Sequence, residues 1–158
     1  MEPMDIVRQV PVWVPFLFVF LLVLGLRARH RREMPVVVMY LIPCLSLLSI
    51  ASLAALSVPM TVWAVCGFMI AVGAVLGARL QLGYILARHG LLIELAGENV
   101  TLALLMGIFL CNFILRLLTQ IAPAALHGGA MVAAFAAVIG LVTGMFVGRA
   151  WAVFRTPA

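Results

Sequence analysis

Lysine is absent from this chain, and acidic residues nearly so: Asp and Glu together number 5 in 158 residues. Charged residues make up 9% of the sequence, against roughly 25% in an ordinary soluble domain. A water-facing surface cannot be built from so few charges, which excludes an ordinary soluble globular fold. Glu2, Asp5, Glu33, Glu94 and Glu98 all lie outside the middle of any apolar run. Proton-coupled carriers usually hold an ionisable group at membrane depth, so this placement counts against a proton antiporter. There is no CxxC: Cys44, Cys66 and Cys111 stand singly inside apolar runs, where free cysteine behaves as a small hydrophobe. No glycine-rich phosphate loop, metal-spaced His/Cys cluster or Ser/His/Asp set is legible. His30, His89 and His127 fall in loops and offer no pair facing each other at one depth, as a bis-histidine haem requires. The sequence therefore assigns no catalytic residue, no cofactor ligand and no metal ligand.

What is abundant is apolar surface, at 66% of residues. A bilayer solvates such surface, and a helix satisfies its own backbone polar groups there. The expected fold is an all-α integral membrane protein, a single domain over residues 1–158 built as a five-helix transmembrane bundle. The expected spans are about 10–26, 35–56, 60–78, 98–118 and 130–149. The first is roughly 26 Å long at 1.5 Å per residue. It is not a cleavable signal, because the chain opens Met1-Glu2-Pro3-Met4-Asp5 and the apolar run ends on arginines instead of a small-residue cleavage site. Pro43 inside the second span predicts a kink. Ser46, Ser49 and Ser52 recur on one face of the same span, where they can bond a neighbouring helix or their own backbone. Glu98 opens the fourth span and complements the positive end of its dipole.

Residues 80–96 are too broken for a span. Folding them about Arg88-His89 pairs Leu86 with Leu91, Tyr84 with Ile93 and Leu82 with Leu95, the period-two pattern of a short β-hairpin. An amphipathic interfacial segment is the competing reading.

Gly73 and Gly77 in the third span form GxxxG, and Gly140, Gly144 and Gly148 in the fifth repeat it twice. That spacing lets helices approach closely. Spans three and five are the expected close pair. The same glycine faces are candidate contacts for a second copy or a membrane-protein partner.

The ten basic residues are all arginines, set at the ends of apolar runs where anionic headgroups and the orientation rule account for them. A nucleic-acid face needs a solvated basic patch, which this chain cannot display. With the loop holding Arg27, Arg29, Arg31 and Arg32 in the cytoplasm, five spans also place Arg79, Arg88, Arg149 and Arg155 inside. Only Arg8 and Arg116 fall outside. The expected topology is N-terminus periplasmic and C-terminus cytoplasmic. Arg116 sits on the side that this rule disfavours, with Asn112 one turn earlier. Two readings stay open for it: snorkelling to the headgroups, or a functional polar pair with Asn112, with Asp5 or Glu2 as a further partner.

Three segments carry a resemblance: Pro11-Val12-Trp13-Val14 through Leu24-Gly25-Leu26-Arg27 and the arginine loop; Arg88-His89-Gly90-Leu91-Leu92-Ile93; and Leu104 through Phe109 to Arg116. Together they resemble an uncharacterised family of small five-span bacterial inner-membrane proteins. More distantly they are similar to the CcdC-like proteins, named for an association with cytochrome c biogenesis. His89 stands where those relatives carry an acidic residue. The resemblance implies a bacterial inner-membrane address and brings no catalytic residues.

The mild polarity of the spans favours a non-enzymatic accessory or assembly factor. A small carrier or channel is the alternative, resting on Pro43, the serine face and Asn112/Arg116. A redox or haem-handling protein comes third.

Overall fold

The computed structural model describes residues 13–30, 32–55, 58–89, 92–122 and 129–156. It contains α1 (Trp13–Arg27), β1 (Arg32–Pro35), α2 (Val36–Ala54), α3 (Met60–Tyr84), β2 (Ile85–His89), β3 (Leu92–Leu95), α4 (Val100–Ile121) and α5 (Gly129–Arg155). The helices α3, α4 and α5 are each long and apolar enough to cross a membrane, and α1 is a shorter apolar helix. These three support a transmembrane protein.

Proline sets two of the helix starts. Pro35 (φ −61°, ψ 134°) and Pro59 (φ −65°, ψ 158°) are the extended residues just before α2 and α3. There a missing N–H costs nothing and the fixed φ turns the chain into the helix. Pro43 is carried inside α2, which continues as one helix to Ala54. Ser46, one turn on, donates to the Pro43 carbonyl at 2.7 Å.

The core is a pair of parallel helices, α3 and α5, and glycine is what brings their backbones together. A side-chain carbon at Gly144 would overlap the Ile70 carbonyl oxygen and press on the Ala74 nitrogen. One at Gly77 would overlap the Met145 backbone. Gly73, Gly140 and Gly148 continue the seam against Leu141, Cys66 and Ala74. The partners rise together along both helices, so the two run in the same direction. A parallel pair separated in sequence by one helix requires that helix, α4, to run in the opposite direction.

Side-chain clusters fill the space around this seam. Leu53 of α2, Val62 and Cys66 of α3, and Val132 and Ala136 of α5 close one end. Cys111 and Leu115 of α4 meet Ile139 in the middle, and Leu104 meets Val142 and Phe146 further along. The helix α1 lies outside these clusters and packs on α4, with Gly25 against Leu102 and Phe18 against Phe109 at 5.6 Å between ring centres.

A three-stranded antiparallel sheet in the order β1-β3-β2 caps the other end. Here the structure corrects two expectations. The hairpin exists, but its register differs: Arg88 pairs with Ile93 and His89 with Leu92, with an irregularity between Ile85 and Ala87. The reason is that α3 runs on to Tyr84, so Leu82 and Tyr84 remain helical and the pairing ends at His89 and Leu92; residues 90–91 lie outside the described residues. The second correction is β1, whose residues Arg32–Pro35 were expected as loop and helix start. It pairs with the free edge of β3, from Arg32 opposite Leu95 to Pro35 opposite Leu92. Nothing in a run of Arg-Glu-Met-Pro alternates, so only the pairing partner reveals the strand. Ile93, Leu95 and Val153 pack together with Ile85 beneath the sheet, which ties the last turns of α5 to the cap.

Candidate functional site

The seam of α3 and α5 ends in charge. Gly73, Gly77 and Gln81 follow one another at four-residue spacing on α3, as Leu141, Met145 and Arg149 do on α5. The turn after the Gly77–Met145 contact therefore sets Gln81 against Arg149. Both residues are buried, at 0% and 4% exposure. The Arg149 Nε–H donates to Gln81 Oε1 at 2.8 Å. Most arginines near helix ends reach the headgroups; this one is turned into the seam and cannot.

Its counter-charge comes from the segment between the sheet and α4. The Arg149 Nη2 group donates to Glu98 Oε1 in a buried ion pair. Thr101, in the first turn of α4, donates its hydroxyl to the same Glu98 oxygen at 2.7 Å. Four further contacts fix the segment. Ala96 N–H donates to the Tyr84 carbonyl at 2.9 Å, and Glu98 N–H to the Ala28 carbonyl at 2.9 Å. The Arg29 Nε–H donates to Asn99 Oδ1 at 2.6 Å. Gly97 lies so close to the Arg29 carbonyl that a side-chain carbon would overlap it. The loop after α1, the sheet, α3, α4 and α5 thus converge on one carboxylate and one guanidinium. Buried ion pairs survive when both members are further hydrogen-bonded, and Gln81 and Thr101 supply those bonds.

The sequence-derived candidates fall elsewhere. Asn112 donates at 2.8 Å both to Ser49 Oγ of α2 and to the Ile108 carbonyl of its own helix, so its amide serves helix packing. Arg116 is exposed, and among the described residues no hydrogen bond or ion pair holds its guanidinium. Its backbone carbonyl accepts from the Thr119 hydroxyl at 2.6 Å. The structure does not bring Asn112 and Arg116 into a bonded pair, and Glu2 and Asp5 lie outside the described residues. Arg27 and Arg29 are exposed at the sheet end, Arg32 begins β1, and Arg31 is outside the described residues. Gly73, Gly77, Gly140, Gly144 and Gly148 all meet the facing helix of the same chain.

Sequence reasoning read Glu98 as a helix-dipole partner and Arg149 as an orientation mark, and it passed over Gln81 and Thr101. A usable signal was present: extending the glycine spacing by one turn on α3 reaches Gln81. The partnership with Glu98 had no sequence signal, because 51 residues separate it from Arg149.

Two further features bound the chemistry. Among the described residues no three His, Cys, Asp or Glu side chains are grouped to hold a metal, and Cys44, Cys66 and Cys111 are free thiols. A groove of about 330 Å³ opens between Gly107, Cys111 and Ile114 of α4 and Met131, Phe135 and Val138 of α5; its lining is apolar.

Comparisons with protein-family models, with curated proteins and with solved structures found no match.

Proposed function

We propose that the chain is a five-span protein of the bacterial inner membrane that serves as a non-enzymatic accessory or assembly factor. The observation that carries this reading is where its polarity is spent. The charged cluster joins the sheet to the end of the bundle, and Asn112 joins α4 to α2. The groove at membrane depth is apolar. That groove offers a solute no polar contact, which sets the carrier or channel reading second.

The crossing pattern is supported by the sheet. Each described helix has one end there: α1 leads into β1, β1 into α2, α3 into β2, β3 into α4, and the end of α5 packs beneath it. That arrangement supports five alternating crossings, with the arginine-rich end placed in the cytoplasm by the orientation rule. Because the glycine faces meet within one chain, a partner would dock on another surface, such as the outer face of α1.

Two measurements test the proposal. Alkaline phosphatase fused near residue 125 should be active and near residue 155 inactive, with green fluorescent protein giving the reverse; an active fusion at 155 overturns the topology. Proteoliposomes of the purified protein should leak protons and carboxyfluorescein no faster than protein-free vesicles. A flux abolished by Asn112→Leu would favour the carrier reading instead.

A further inference from the structure

The helix α5 is 27 residues long, about 40 Å at 1.5 Å per residue, and it outruns a hydrocarbon core of roughly 30 Å. Its last turn carries Arg155 and lies beside the sheet, so the excess falls there, in the headgroup layer. Val147, Trp151 and Arg155 follow one another at four-residue spacing, which stacks them on one face of the helix, one turn apart. That face is turned away from the bundle: Val147 is 42% exposed and Trp151 48%, and Phe154 beside them 73%. Its polarity climbs one step per turn, from an aliphatic side chain through an indole to a guanidinium. A phospholipid has the same order along the membrane normal: acyl chain, glycerol ester, phosphate. An indole, with its apolar body and polar N–H, suits the middle level.

The guanidinium is held in place without being used up. Its central carbon stands 4.0 Å from the centre of the Trp151 ring. That contact takes the π-face of the indole and leaves the guanidinium N–H groups for an acceptor. Among the described residues no hydrogen bond or ion pair takes them. Thr156 meets part of the demand of the helix end instead, donating its hydroxyl to the Ala152 carbonyl at 3.0 Å and its N–H to the Val153 carbonyl at 3.3 Å. The surrounding charge is of one sign. Arg27, Arg29 and Arg79 are exposed at this end of the molecule, and Glu33 is the exposed acid among the described residues. We propose that this face of α5 binds one anionic phospholipid from the leaflet at the sheet end. The phosphate accepts two N–H bonds from Arg155, the fork geometry that a guanidinium favours. The glycerol ester lies at Trp151, and an acyl chain runs down Val147. The neighbouring arginines favour a headgroup of net negative charge, such as phosphatidylglycerol, over a zwitterionic one whose own cation they repel. The site rests on the membrane reading, and not on which side the sheet faces or on the accessory-factor role.

The test reads Trp151 by fluorescence quenching. In the full chain carrying Trp13→Phe and Trp63→Phe, Trp151 is the sole tryptophan. This protein is placed in phosphatidylcholine nanodiscs that contain, at equal fractions, phosphatidylglycerol or phosphatidylcholine brominated near the glycerol. Quenching should show a preference of about fivefold for phosphatidylglycerol, equivalent to about 1 kcal/mol for one arginine at an anionic surface. Arg155→Gln should cut it to below about twofold, and Arg155→Lys, which keeps the charge, should retain more. Trp63, read alone at the opposite end with Trp13 and Trp151 replaced by phenylalanine, should show no preference. Equal quenching of Trp151 by the two lipids would overturn the site and pass Arg155 to free phosphate or to an acidic segment of another protein. A preference unchanged by Arg155→Gln would overturn it too, assigning the effect to the other arginines. Both outcomes leave the membrane reading intact, whereas no quenching by either lipid would overturn that reading and the site together.

Discussion

A guanidinium on a side chain that is 5% exposed in an apolar bundle is stable only while its counter-charge stays in place. Glu98→Ala leaves Arg149 buried and uncompensated, at a cost of about 3–5 kcal/mol by analogy with other broken buried pairs. Replacing both members, as Glu98→Gln with Arg149→Met, removes the charge along with its partner and should cost much less. Thermal unfolding of the two variants in one detergent distinguishes these outcomes; equal losses would mean that Arg149 finds other compensation. Asn112 is a milder case. Its amide bonds Ser49 across α2 and α4, and interhelical bonds in membranes average about 0.6 kcal/mol. Asn112→Leu should therefore lower the melting temperature only slightly. A large drop would show that the contact does more than pack two helices.

At the level of elements, the seam between α3 and α5 is the least forgiving part of the protein. Gly144→Leu places a side chain where the Ile70 carbonyl and Ala74 backbone already lie. Neither can withdraw as a flexible side-chain tip could, so the helices must separate along their length. Gly67→Ala, on the exposed face of α3 with nothing within 4 Å, should be neutral to slightly stabilising. Comparing the two variants by thermal unfolding separates lost packing from a general intolerance of glycine replacement. Gly97→Ala tests the cap in the same way: it should push the loop at Arg29 away and weaken the Arg29–Asn99 bond, seen as faster amide exchange in β1 and β3. The helices were legible in the sequence because long apolar runs and proline starts are local signals. The glycine seam was legible because four-residue spacing is local too. The strand β1, the register of β2 with β3 and the Glu98–Arg149 pair were not. Each depends on a partner far away in the chain, and Arg32 to Pro35 has no periodicity of its own. The helix α3 runs on past residue 78, the expected end of its span, to Tyr84, and Gln81 is buried in that extension.

For the whole molecule, the sheet is the fixed point. It gathers one end of every described helix, and its three strands come from two separate stretches of chain. Positions at that end should share one aqueous compartment. Single cysteines introduced at positions 30 and 155, in a chain whose native Cys44, Cys66 and Cys111 are replaced by serine or alanine, should react with a membrane-impermeant maleimide only from the cytoplasmic side. Labelling of one from outside the intact cell would break the alternation on which the five-span topology rests.

The parallel run of α3 and α5 also fixes an order of events during synthesis. The glycine-lined side of α3 leaves the ribosome well before its partner glycines Gly140, Gly144 and Gly148 are made. Until the last helix arrives, that stripe must be tended by lipid, by the insertion machinery or by a chaperone. A chain stalled between α4 and α5 would be short-lived in the cell, and the same chain released with α5 supplied separately would show whether the stripe can still be claimed late.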